Sequence, residues 1–177
     1  PIKNKKNLDK LKLGWNSGFL NYDFLSPILN KLYSIFKINK IIDFRHLYIR
    51  PSILREVPIQ ARFGINYNKN SVMFQRKLTL DKISDHIPFN KLKRYHYINE
   101  LKKSWSVVSP FGFGEITLKD FESFMYGCLL VKPNMDHLET WPNFYEKDIT
   151  YISYNWSLRD IQSTINKVVK ERHNYLK

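Results

Sequence analysis

The sequence holds one cysteine, Cys128, among its 177 residues, so no disulfide can form within the chain and a reducing compartment fits. Cys128 lies in the apolar run Cys128-Leu129-Leu130-Val131, which makes it a buried structural thiol rather than a nucleophile. No apolar run approaches the length of a membrane span, and no signal-peptide pattern opens the chain. There is no internal repeat and no low-complexity tract. Acidic residues are few: 16 Asp and Glu stand against 29 Lys and Arg, a formal charge of +13. Such an excess suits nucleic acid, an anionic membrane or phosphorylated ligands. The chain is also rich in Lys, Asn and Ile together, a bias that AT-rich coding produces by itself. The charge is therefore read as composition plus a phosphate ligand, not as a dedicated polyanion surface.

Aromatic residues make up 15% of the chain, which favours a packed globule over disorder. The length suits one domain of moderate size with a real core. Residues 1–50 are expected to be a linker and a leading helix–strand segment, the remainder of a truncated region, since Pro1 rather than Met stands first. Residues 51–177 are expected to form the domain proper.

The most informative stretch runs from Ser109 to Pro133. Trp105-Ser106-Val107-Val108 enters it as a strand, and Ser109-Pro110-Phe111-Gly112-Phe113-Gly114 is a glycine-bearing loop. A helix is expected from about Glu115 to Tyr126, stopped by Gly127, followed by a strand ended by Pro133. That is a βαβ unit, and it implies a parallel sheet with helices on its faces. Gly112 and Gly114 allow close backbone approach. The helix start offers unpaired N–H groups and the positive end of the helix dipole to a phosphate. Glu115, Lys119 and Glu122 are spaced to share one helix face, with Leu118, Phe121 and Met125 forming an apolar stripe beside it. Lys119 can meet phosphate and Glu122 can accept from paired ribose hydroxyls.

These residues are similar to the donor-binding segment of group 1 glycosyltransferases of the two-domain GT-B type. They most resemble the spore-maturation-protein-like branch, which reads roughly SPFGWGE, a basic residue, DFE, then KPDM and HLETWP. The matching residues are Ser109 to Glu115, Lys119, Asp120-Phe121-Glu122, Gly127, Lys132 to Met135 and His137 to Pro142. Gln60 to Tyr67, Ser71-Val72 and Gln75-Arg76 resemble the branch's RFGTNY and TVAYQR segment, and Leu13 to Gly18 is a weaker match. The resemblance implies that Glu122 holds the ribose of a nucleotide sugar and that the glycine loop faces its diphosphate. The widespread pattern has two glutamates eight apart; here Gly114 stands eight before Glu122, and Glu115 seven before. Lys119 stands where the branch often has Arg, which keeps the charge and loses the bidentate fork.

Elsewhere the readings are plainer. Ser26 and Pro27 open a helix to about Phe36, and Ile41 to Ile49 is a strand that contains His46. Val57 to Phe63 alternates as a strand. Ser71 begins a helix to about Ile83, and Tyr95 to Lys103 is another. Arg62, in the loop after a parallel strand, is a candidate diphosphate contact or a surface arginine paired with a nearby acid. Lys91, Lys93 and Arg94 form a solvated basic patch. Tyr95, Tyr97 and Trp105 interleave with basic residues, but no nucleic-acid signature accompanies them. Asp136, His137 and Glu139 match no standard metal spacing. Their loop is expected to border the nucleotide, with Trp141 and Pro142 as packing or a wall for the base. Tyr151 to Tyr154 is a short strand, and Ser157 with Asp160 reads as a capping box opening a helix to about His173, with Ile161, Ile165 and Val168 facing inward.

Together these readings lead to an α/β, Rossmann-like parallel sheet flanked by helices, the donor-binding half of a GT-B glycosyltransferase of hexosyltransferase type. The donor-binding set is Arg62, Gly112, Phe113, Gly114, Glu115, Lys119 and Glu122, with the catalytic residues unknown and no metal or other cofactor expected. The partners are a nucleotide-diphosphate sugar, an unknown acceptor (glycan, lipid or protein) and a missing acceptor-binding domain, with no specific nucleic acid. The expected location is cytoplasmic or peripheral at a membrane. Two further classes stand beside this one: a non-catalytic nucleotide or phosphate binder, and a basic polyanion-binding module.

Overall fold

The computed structural model describes Ile35, residues 49–83 and residues 87–175. Ile35 is helical, inside the helix expected to reach Phe36, and Ile49 is in no strand. The remaining readings made on residues 1–48, including the strand around His46, lie outside the described residues.

Four strands form one sheet: β1 (Val57–Gln60), β2 (Ser104–Val108), β3 (Leu129–Pro133) and β4 (Tyr151–Tyr154), in that spatial order. Every pairing is parallel, with Val57 opposite Ser104, Ser106 opposite Leu129 and Leu130 opposite Tyr151. The helices are α1 (Asn70–Lys82), α2 (Arg94–Lys103), α3 (Leu118–Met125) and α4 (Ile161–Lys170), with a 3-10 turn at Arg172–Tyr175. This is an α/β, Rossmann-like architecture, and no helix among the described residues is long and apolar enough to cross a membrane.

The sheet is covered on both faces, as parallel sheets are. All five residues of β2 are buried, although Ser104 and Ser106 are polar. Ser104 Oγ donates to Glu100 O (2.8 Å) and Ser106 Oγ to Pro58 O (2.8 Å), so neither hydroxyl is stranded. One cluster joins Ile59, Trp105, Val131, Ile152 and Tyr154 to Ile161, Ile165 and Val168 of α4, as expected. Those three helix side chains recur at i, i+4, i+7, and burying each stabilises by about 1.5–3 kcal/mol. Leu130 and Tyr151, pointing the other way, meet Phe111, Met135 and Tyr145. Cys128 packs with Leu101 and Val107, and burial pushes its thiol up to about 11 against the pull of Arg55, so it is an inert core group.

Several boundaries differ from the sequence reading. β1 stops at Gln60 rather than Phe63, because the chain turns at Ala61 to pair with Pro88 instead of β2: Ala61 N–H donates to Pro88 O at 2.8 Å. The capping box lies not at Ser157 but at Thr117, where Thr117 N–H donates to Asp120 Oδ2 (2.9 Å). That bond sets the start of α3 three residues beyond Glu115. At the other site Asp160 is itself the N-cap of α4, its carboxylate occupied by the backbone and side chain of Asn155. α4 ends at Lys170, not His173.

The apolar stripe on α3 is also corrected. Met125 is buried, but Leu118 and Phe121 are only half-buried, whereas Asp120, Glu122 and Ser123 are buried. The polar groups can turn inward because each finds partners. Asp120 is fully buried and accepts from Ser109 Oγ (2.6 Å), Thr117 Oγ1 (2.9 Å) and Tyr145 OH (2.7 Å), with Lys132 Nζ 3.2 Å away. This cluster ties the glycine loop to β3 and to the β3–β4 connection. Gly127 ends the helix at φ +60°, as expected of a C-terminal glycine.

Candidate functional site

The two βα connections on one half of the sheet meet around a cavity of about 650 Å³, within the range of ligand pockets. It opens at the carboxyl ends of β1 and β2, the edge where ligands bind in open parallel sheets. Arg62, Phe63, Gly64 and Tyr67 line it from the segment after β1, and Arg76 reaches it from α1. Lys91 and Leu92, with Arg94 and Tyr97 of α2, form another wall. The remainder comes from Gly112, Phe113, Gly114, Ile116 and Thr117 of the bend and from Leu118, Lys119 and Glu122 of α3.

Six of the seven residues expected to meet a donor thus line one cavity. Glu115 is the exception. It precedes α3 rather than sharing its face, and its carboxylate stands 3.9 Å from His137 Nε2. Glu122, one turn into α3, has a carboxylate that takes Arg94 Nη1 at 2.5 Å and the Tyr97 hydroxyl at 2.8 Å. A carboxylate has about four acceptor positions, so two remain for other donors. Tyr97, buried beside that charge, has its hydroxyl pKa pushed up, by burial first and then by Glu122, so it stays a donor.

The cations divide into paired and unpaired ones. Arg62 is held in a fork with Glu100, at 2.8 and 2.7 Å, and also donates to Asn90 O. Arg94 is paired with Glu122. Lys119 Nζ donates to Arg62 O (2.7 Å) and Tyr97 OH (3.1 Å) and lies 4.5 Å from the Tyr97 ring centre. Burial pulls its pKa from 10.5 down to about 8, with Glu122 opposing.

Arg76 is the residue that sequence reasoning missed. It is 5% exposed, and no ion pair involves it among the described residues. Nε donates to Phe111 O (2.6 Å) and Nη1 to Gly64 O (2.7 Å), and the guanidinium lies 4.6 Å from the Tyr67 ring centre. Nη2 faces the bend, 3.8 Å from where a side chain on Gly112 would begin. Burial lowers its pKa, with Tyr67, Tyr154 and the carboxylate of Asp120 opposing from beyond contact distance. Arg55 is also buried among carbonyls, but its two terminal nitrogens donate to Ser104, Arg50 and Tyr126 carbonyls and to Cys128 Sγ, and it is not on the cavity. The one hint of Arg76 in the sequence was the resemblance of Gln75-Arg76 to the branch motif.

The bend itself is less open than its glycines suggested. Gly112 N–H donates to Gly114 O (3.1 Å) and Thr117 N–H to Asp120, so these amides are already engaged. What Gly112 provides is room beside Arg76. The loop after β3 and its aromatic residue also fall elsewhere: neither residues 134–139 nor Trp141 lines the cavity, and Trp141 is exposed. Lys91, Lys93 and Arg94 are exposed, as expected of a solvated patch, and Lys91 and Arg94 also stand on the cavity wall. Among the described residues no group of three or more His, Cys, Asp or Glu is arranged to hold a metal ion. No family model, no curated protein and no solved structure matches the chain.

Proposed function

We propose that this cavity binds the diphosphate of a nucleotide sugar, and that the domain is the donor-binding half of a glycosyltransferase of the GT-B type. The observation that carries the reading is Arg76: a buried guanidinium in no direct ion pair among the described residues, directed at the room beside Gly112. Asp120, the carboxylate that acts on it, is paired directly with Lys132, and a buried cation in no direct ion pair is costly, so an anionic ligand supplies a partner. Lys119 adds a second cation from the first turn of α3, held by neutral oxygens that phosphate oxygens can outcompete. Three residues further along the helix, Glu122 offers its two remaining acceptor positions to the ribose hydroxyls. Arg62, already forked to Glu100, shapes the wall rather than meeting the phosphates.

In this reading the chemistry is electrostatic. The sugar's bond to the diphosphate breaks, and Arg76 and Lys119 stabilise the charge left on the departing nucleoside diphosphate. A nucleophilic hydroxyl comes from the acceptor, whose own site belongs to a second domain.

Calorimetric titration with nucleoside diphosphates and with inorganic pyrophosphate tests the assignment. Glu122→Gln is expected to weaken a nucleoside diphosphate by about tenfold, the worth of a hydrogen bond to a charged group, and to leave pyrophosphate unchanged. Random single-stranded nucleic acid binding more tightly than any nucleoside diphosphate, with a steep salt slope, would instead favour a polyanion module.

A further inference from the structure

Phe113 is 69% exposed, although it sits on the wall of the cavity. Single exposed apolar side chains are common, and Leu54, Phe74 and Ile149 are as open; what sets Phe113 apart is its place on the cavity wall. The backbone beyond it also borders open space: Gly114 has nothing within 4 Å of where a side chain would begin. Its neighbours are Tyr67, edge-on with ring centres 5.3 Å apart, and Lys69, whose ammonium is 5.6 Å from the ring centre. Tyr67 in turn covers the guanidinium of Arg76. The aromatic pair therefore continues the wall outward from the cation assigned to the diphosphate.

Position along α3 gives the order of ligand parts. Glu122 lies three residues past Lys119, about 4.5 Å further along the axis at 1.5 Å per residue. The bend precedes the helix start. A ligand with its ribose at Glu122 and its diphosphate at Lys119 and Arg76 carries its remaining group toward the bend. Resting on the nucleotide-sugar reading, we infer that Phe113, supported by Tyr67, is the platform for the transferred pyranose. The electron-rich face of the ring attracts the polarised C–H groups on one face of a pyranose, in the way ring faces attract positive edges. No charged group is needed for that contact, and the ring selects for a sugar with a C–H-rich face.

The test compares nucleotide sugars with their parent nucleotides by calorimetry, using uridine and guanosine diphosphates, UDP-glucose, UDP-galactose and GDP-mannose. At least one conjugate is expected to bind more tightly than its parent. Phe113→Ala should weaken that conjugate by about three- to tenfold while leaving the parent diphosphate unchanged, and Phe113→Trp should restore it. Because the ring is exposed, the thermal midpoint should not move. Equal weakening of parent and conjugate would place the base or the diphosphate on the ring and overturn the inference, as would no change in either. Conjugates binding no tighter than their parents would also overturn it, with the diphosphate site intact. If no nucleoside diphosphate binds the unmodified protein, adenosine and thymidine diphosphates included, the underlying reading falls as well.

Discussion

Removing the guanidinium of Arg76 puts the account at most risk. In Arg76→Met the flexible side chain keeps most of the volume and loses the charge and every donor. Within the fold this deletes the bonds to Phe111 O and Gly64 O, at 2.6 and 2.7 Å. Hydrogen bonds from a charged donor contribute about 1.5–3 kcal/mol each, and relief of the buried charge offsets part of that. A folded protein with a lowered thermal midpoint is the expected result. Toward a diphosphate the loss is larger in kind, because one charge-assisted contact of about 1.5–3 kcal/mol disappears, or about 10- to 150-fold in affinity. Calorimetric titration at fixed salt measures it. Arg159→Met is the charge-matched control: exposed and away from the cavity, it lowers the net charge equally and should change affinity little. Two results would refute the reasoning. One is a cooperatively melting Arg76→Met that binds the diphosphate as the parent does. The other is equal weakening in Arg159→Met, which would mean that only the overall field of the +13 chain attracts the ligand.

Burial pulls the Lys119 pKa from the usual 10.5 down to about 8, and a bound phosphate favours its charged form. Affinity for a nucleotide sugar, whose diphosphate diester stays charged throughout, should be flat below pH 8 and fall above it, with proton uptake on binding in buffers above that point; a flat profile to pH 10 would exclude Lys119. Folding follows the opposite sign. The unfolded chain binds more protons between 8 and 10.5, so the Lys119 contribution makes stability rise with pH across that window, which urea titrations of the parent and Lys119→Met can separate. Gly127→Ala combines a left-handed backbone, at about 1–2 kcal/mol, with a side-chain atom that would overlap Ile49 O, so its thermal midpoint should fall by more than strain alone explains. A fall no larger than the backbone strain alone would mean that Ile49 packs otherwise. Lys132→Met leaves Asp120 charged and fully buried without its ammonium, at a cost of about 3–5 kcal/mol, and adding Asp120→Asn should recover part of it. A double-mutant cycle in denaturant measures the coupling, and additive losses would contradict the pairing.

Much of the fold was legible because strands and helices here announce themselves by period and punctuation. Tyr151 to Tyr154 is the strand expected, and α1 and α2 each begin within one residue of the expected start. The βαβ unit came from two apolar runs, a glycine loop and Gly127. The misses share one cause: side chains that meet across the fold leave no local pattern. Asp120 entered only as part of the matching Asp120-Phe121-Glu122 run, yet its bond to Thr117 N–H sets where α3 begins. Arg76 sits in α1 with no periodic mark, and the carbonyls that hold it lie 12 and 35 residues away in sequence. Arg62 was open between a ligand and a surface acid, and the fork with Glu100, 38 residues on, decided its geometry. Glu122 lines the cleft as the helix spacing suggested, although its pairing with Arg94 and Tyr97 was not visible. Trp141 was grouped with the site because it follows a parallel strand, but the cavity forms at β1 and β2 and the loop after β3 stays outside it.

The decisive measurement is a calorimetric titration of the unmodified protein at physiological salt. Its ligands are adenosine, guanosine, uridine and thymidine diphosphates, their monophosphates and a random oligonucleotide. One-to-one binding of at least one diphosphate, tighter than its monophosphate by about tenfold or more and little changed by the oligonucleotide, is the result predicted from Arg76 and Lys119 acting together on two phosphates. Saturation by the oligonucleotide alone, with every diphosphate silent up to millimolar concentration, would contradict it.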